Sequence, residues 1–210
     1  MRAGEAVLHR VVLATHNAHK VAELRRILHA EHHVHSGIEL VALDWFPTMP
    51  AVPETGATFA DNALLKARAV AAFTQNVAIA DDSGLTVGAL NGMPGVLSAR
   101  WAGRHGDDDA NLRLVLDQVA DVPEERREAA FVCAAAAVTP DGREVVVEGR
   151  VEGVLTREPR GHNGFGYDPI FVPHGHDRTT AEMSPEEKDA ISHRGIAFRA
   201  LAPRLSELLA

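Results

Sequence analysis

The run Val77-Ala78-Ile79-Ala80-Asp81-Asp82-Ser83-Gly84-Leu85 sets two adjacent carboxylates behind a short apolar stretch. The apolar part reads as a buried strand, and Ser83-Gly84 reads as the turn that stops it. Open α/β sheets place ligand crevices at the carboxyl ends of their strands. Consecutive strand residues point to opposite faces, so Asp81 and Asp82 divide the work. One is available to a cleft, and the other can anchor a loop or helix.

Four further stretches carry groups of comparable chemistry. Thr15-His16-Asn17-Ala18-His19-Lys20 follows a β-branched run and precedes Val21, Leu24, Ile27 and Leu28 at helical spacing. Asn17 reads as the N-cap of that helix, and free N–H groups at a helix start hold anions. Lys20 in the first turn opposes the helix dipole, which calls for a bound anion or a neighbouring carboxylate. Thr58 and Asp61 form a capping box for an alanine-rich helix reaching Phe73. Asn62 and Lys66 share one face of it, with Glu54 just ahead.

Arg160-Gly161-His162-Asn163-Gly164-Phe165-Gly166-Tyr167-Asp168-Pro169 combines three glycines, two planar rings and an acceptor. The glycines permit positive φ and close backbone approach. The order differs from a dinucleotide fingerprint, and a strand at Ile170 to Val172 follows instead of a helix. Ser184-Pro185-Glu186-Glu187 starts a short helix containing Lys188, which Ser192-His193-Arg194-Gly195 ends.

The elements that carry these groups alternate between strand and helix. Residues 6–14 and Val41 to Leu43 read as strands, and Asp44 to Pro53 as a proline-rich loop. Leu85 to Leu90 reads as a helical turn, and Asp107-Asp108-Asp109 as the acidic start of a helix. Glu128 to Thr139 and Glu144 to Leu155 read as strands joined by the hairpin turn Pro140-Asp141-Gly142-Arg143. Poor alternation in the first of these suits burial on both faces. Ala197, Leu201, Leu205 and Leu208 make one stripe of a last helix, which Pro203 should kink or restart. No internal repeat or linker interrupts residues 1–210, read as one domain of the α/β class.

With 46% hydrophobic and 24% charged residues, the 210-residue chain is ordinary for a globular protein. A formal net charge of −8 argues against a general binder of nucleic acid or anionic membrane. The single cysteine, Cys133, forms no intrachain disulfide and reads as inert core in a reducing, cytoplasmic protein. His29, His32, His33 and His35 lack a regular ligand spacing and read as exposed. His174-Gly175-His176 is short of partners for a zinc site.

In combination, Thr15 to Lys20, Glu54 to Lys66, IADDSGL, GFGYDP and ISHRG resemble the inosine triphosphate pyrophosphatase (HAM1-like) family, from about Val11 to Leu208. The resemblance implies an elongated, two-lobed α/β fold around a long curved mixed sheet with flanking helices. It also implies Mg2+-dependent hydrolysis of inosine, deoxyinosine and xanthosine triphosphates to monophosphate and pyrophosphate, by a homodimer. Thr15, His16, Asn17, Ala18, His19 and Lys20 match its phosphate cradle, with Asn62 and Lys66 as further substrate contacts. Asp82 matches its general base and metal-associated carboxylate, Glu54 its second acidic contributor to Mg2+, and Ser83 a substrate contact. Phe165, Gly166, Tyr167 and Asp168 match the nucleotide loop, and Lys188, His193 and Arg194 the wall near the base. Two departures stand out: Pro53 occupies the place of a second carboxylate before Glu54, and His16 that of a smaller residue. On this reading a water held by Asp82 attacks the α-phosphorus while Lys20 and Lys66 offset charge on the phosphates. The rivals are a Maf-like nucleotide pyrophosphatase, which GFGYDP and SHRG argue against, and a nucleotide sensor that does not hydrolyse.

Overall fold

The computed structural model describes residues 9–30 and 38–209. Six strands form one mixed sheet in the order β2-β1-β3-β4-β5-β6. They are β1 (His9–Leu13), β2 (Ile38–Ala42), β3 (Val77–Val87), β4 (Glu128–Val138), β5 (Glu144–Leu155) and β6 (Phe171–Pro173). The flanking helices are α1 (Ala18–Ala30), α2 (Phe59–Thr74), α3 (Asp108–Gln118), α4 (Pro185–Ile191) and α5 (His193–Leu209). β1 pairs parallel with β2 and β3, and β5 pairs antiparallel with β6. No helix among the described residues is long and apolar enough to cross a membrane. Residues 6–8 of the expected first strand and His32, His33 and His35 lie outside the described residues, as does any side-chain placement for His29.

The chain forms two compact units from interleaved segments. The first takes residues up to Asp81, Ala134–Val147 and the chain from Ala197; the second takes Asp82–Cys133 and Glu148–Ile196. β3 changes unit between Asp81 and Asp82, β4 after Cys133 and β5 after Val147.

Small side chains build the first unit. Ala63, Ala67, Val70 and Ala71 of α2 pack with Ala78, Ala80, Ala134 and Ala136, all buried. Alanine on both sides lets helix and sheet backbones come close, and such dense contact accumulates dispersion energy. Thr58 and Asp61 start α2 with a capping box, as the sequence indicates.

The second unit has a larger-grained core. Phe131 meets Phe171 edge-on at 4.7 Å, among Leu85, Leu112, Val115, Leu155 and Ile170. Arg127 is 1% exposed and donates to the carbonyls of Leu155, Val119 and Thr156 at 3.0, 2.5 and 2.7 Å. Burial first, then the charge of Arg157, holds its pKa below that of a free guanidinium.

Four expectations change. β3 does not stop at the aspartates: it runs on through Ser83-Gly84 to Val87, leaving the carboxylates in mid-strand. Gly84 serves close approach, since a Cβ there would lie 2.3 Å from the Ser98 hydroxyl. Leu85–Val87 is strand, and only Gly88–Leu90 forms a helical turn. His193 and Arg194 do not end α4; they open α5, where the Ser192 hydroxyl accepts the Gly195 N–H at 2.9 Å. Pro203 sits inside α5 without interrupting it. The remaining elements match within a residue or two, the Pro140–Arg143 hairpin turn included, except that β2 begins three residues before the expected Val41.

Candidate functional site

In the first unit, the groups that suit phosphate cluster around the start of α1. After β1 the chain turns at Thr15, whose hydroxyl accepts the Asn17 N–H at 3.1 Å. Asn17 Oδ1 then accepts the Lys20 N–H at 3.2 Å, which makes it the cap the sequence indicates. Ala18 and His19 form the first turn of α1. Lys20 Nζ donates to Asp81 Oδ2 at 2.9 Å, with the lysine side chain 16% and the aspartate side chain 1% exposed. The neighbouring carboxylate that a lysine in this turn calls for is therefore Asp81, reached across 61 residues. His16 Nδ1 stands 3.5 Å from Asp44 Oδ1 on the surface.

A second cation lies on α2. Lys66 Nζ donates to Glu54 Oε1 at 2.7 Å, both groups part-buried. Asn62, one turn earlier, is fully buried instead of sharing that exposure. Its Oδ1 accepts the Gly56 N–H at 2.7 Å, and a Cβ on Gly56 would collide with Asn62 and Asp61. Asn62 thus ties the Glu54–Gly56 loop to the helix.

In the second unit, Asp168 organises the glycine-rich loop. Its Oδ2 accepts the Phe165 N–H at 2.8 Å and the Lys188 ammonium at 2.6 Å, and its Oδ1 accepts the Thr180 hydroxyl at 2.8 Å. Gly164 has φ +75°, and a Cβ there would fall 2.0 Å from Asp168 Oδ2. Phe165 remains half-buried, with Lys188 Nζ 5.1 Å and the Arg194 guanidinium 5.5 Å from its ring centroid. Arg194, itself buried, donates to the Ser83 hydroxyl at 2.7 Å. That hydroxyl follows Asp82, which is 6% exposed. His193 is buried and stacks on Phe131 at 4.8 Å.

Tyr167 does not offer the planar surface read from the sequence. Its ring is buried in the core, and its hydroxyl donates to the Ser98 carbonyl at 2.8 Å. Burial, then the charge of Asp108, pushes its pKa well above the usual phenol value. Gly166 donates its N–H to Asp108 Oδ2 at 2.9 Å. Ser98, Asp108 and Thr180 join this network although their local sequence carries no sign of these distant partners.

These elements and side chains define a nucleotide-handling α/β protein, and comparison with known proteins makes it specific. Residues 11–204 match the model of the Ham1 family, so the chain belongs to that family. It is 60% identical over 200 residues to a dITP/XTP pyrophosphatase of Mycobacteroides abscessus, covering 95% of this chain and 96% of that one. A dITP/XTP pyrophosphatase of Streptomyces coelicolor is 58% identical, covering 95% and 98%. The solved structure of a HAM1 protein from Coxiella burnetii is 42% identical and superposes with a TM-score of 0.84, covering 95% of this chain and all of that one (100%).

Proposed function

We propose that this chain hydrolyses noncanonical purine nucleoside triphosphates (dITP, XTP and ITP) between the α- and β-phosphorus, releasing monophosphate and pyrophosphate. The observation that carries this reading is the nearly full-length likeness to dITP/XTP pyrophosphatases. The geometry supplies groups of the kind the reaction needs. The start of α1 with Lys20, and α2 with Lys66, offer N–H donors and cations to phosphate oxygens. Phe165 offers a face for a purine, while Lys188 and Arg194 offer donors to its 6-keto oxygen. Adenine carries an amino donor at that position, so those donors would go unpaired against it.

Asp82 is the general base in this reading: it takes a proton from the water that attacks the α-phosphorus. Among the described residues, no three His, Cys, Asp or Glu side chains gather into a preformed metal cage. A Mg2+ bound with a triphosphate uses one or two carboxylates and completes its shell with phosphate oxygens and water. Glu54 and Asp82 are the carboxylates this reading assigns to the ion. The ion, when bound, neutralises phosphate charge as pyrophosphate departs. Residues 1–210 act as one domain in this reading, since the chain passes between the two units four times. We also assign it to the cytoplasm and to a homodimer, which sedimentation of the purified chain tests.

Product analysis tests the reaction, with Mg2+ and the triphosphates of deoxyinosine, xanthosine, adenosine and guanosine in parallel. Pyrophosphate and monophosphate from the first two, with little from the others, are expected. Orthophosphate would mean attack at the γ-phosphorus. Tight binding of dITP without turnover would make the protein a sensor.

A further inference from the structure

The three consecutive acids before α3 have three different partners. Asp107 caps the helix, its Oδ1 accepting the Ala110 N–H at 3.2 Å. Asp109 pairs with Arg113 one turn on. Asp108 reaches 58 residues along the chain and accepts the Gly166 N–H at 2.9 Å. The N–H of the preceding residue, Phe165, is held by Asp168 from the opposite flank of the loop. Two successive amides around the Phe165 ring are therefore fixed by two carboxylates from separate elements. Gly166 has φ +62°, and nothing lies within 4 Å of a Cβ placed there. Its conformation is held by hydrogen bonding, not by crowding.

We propose that Asp108 is a positioning residue for the nucleotide loop, fixing the Phe165–Gly166 peptide so that the Phe165 ring is held ready for the purine. This rests on the reading of Phe165 as the base platform. Hydrogen bonds to an ionised acceptor are roughly twice as strong as neutral ones, so one such bond can hold a loop that contains three positive-φ glycines. The rest of the loop's framework does not depend on it: Asp168 keeps Phe165 N–H, and Tyr167 keeps Ser98. Losing Asp108 should therefore loosen the ring's position while leaving the Asp82 chemistry intact. A helix-start aspartate also favours its helix through the dipole, and that role predicts a different pattern.

The test compares Asp108→Ala with Asp108→Asn, which keeps an acceptor oxygen but loses the charge. For dITP with Mg2+, Asp108→Ala should raise KM about five- to tenfold and leave kcat within about twofold, as expected for one lost hydrogen bond. Asp108→Asn should recover about half of the lost binding energy, as a neutral acceptor is about half as strong. Hydrogen exchange of the Gly166 amide, followed by NMR, should accelerate in Asp108→Ala and stay slow in Asp108→Asn. An unchanged KM, a fall in kcat alone, or an asparagine variant no better than alanine would overturn the proposal. If the unaltered protein turns over neither dITP nor XTP, the functional reading fails instead. Calorimetric affinity for dITP then replaces KM, and equal or absent binding in both proteins overturns the positioning role as well.

Discussion

The two units prepare charged groups in opposite ways. In the first, Lys66 is held on Glu54, and both side chains stay partly exposed to water. In the second, Lys188 is shared into a carboxylate that also holds a backbone amide and a threonine hydroxyl. The first arrangement leaves the pair open to water. The second uses a cation to complete the shape of a loop. Identical chemistry, a lysine on an acid, serves display in one place and construction in the other.

The sharpest test of this contrast begins with the group neither lysine replaces. Asp82→Asn should keep the fold while lowering turnover about 10²- to 10⁴-fold, the usual worth of a general base. Pyrophosphate release and a thermal melt measured together check it, and near-normal turnover would remove Asp82 from that role.

The lysines separate the two units next. Lys188→Met strands Asp168, whose side chain is 3% exposed, and breaking such a buried pair typically costs about 3–5 kcal/mol. For a chain of this size that lowers Tm by roughly 10 °C. Lys66→Met leaves Glu54, 23% exposed, in reach of water, so kcat/KM should fall while Tm moves only a few degrees. If both variants lose stability equally, the contrast is wrong. Gly164→Ala should follow, because its φ and its approach to Asp168 exclude a methyl group. Strain of this kind costs about 1–3 kcal/mol, and KM for dITP should rise with it.

Tyr167→Phe gives the smallest effect. It removes one hydrogen bond to Ser98, worth about 1 kcal/mol at neutral pH. The pH dependence has a definite sign. The phenol pKa is raised on folding, so its contribution is complete below the unfolded value of 10.0 and is lost as pH climbs beyond it. Denaturant titrations should therefore show the variant losing less stability than the unaltered protein above that pH.

Local signals in the sequence were read well wherever a cap or turn is specified by adjacent residues. Asn17, the Thr58–Asp61 box and the Ser184 helix start are of this kind. The failures share a cause: a residue type justified by something far away. Ser83-Gly84 has turn composition, yet Gly84 is small because Ser98 lies against it. His193-Arg194 looked like a helix end because the cap that restarts the helix, Ser192, also terminates the one before. Tyr167 beside Phe165 looked like a second binding surface until the core claimed it. Asp108 among three aspartates carried no mark of its distant partner.

The interleaving of segments has a consequence for how the protein is made. Ala197, Phe198, Leu201, Ala202 and Leu205 are all fully buried and belong to the unit that also contains β1 and α1. A ribosome delivers the second unit's last segment before it delivers these residues, whereas domains ordinarily mature from the N-terminus onward. Here the order is reversed. β1 and α1 wait for residues made after the whole of the second unit, so the unit begun first is the one completed last.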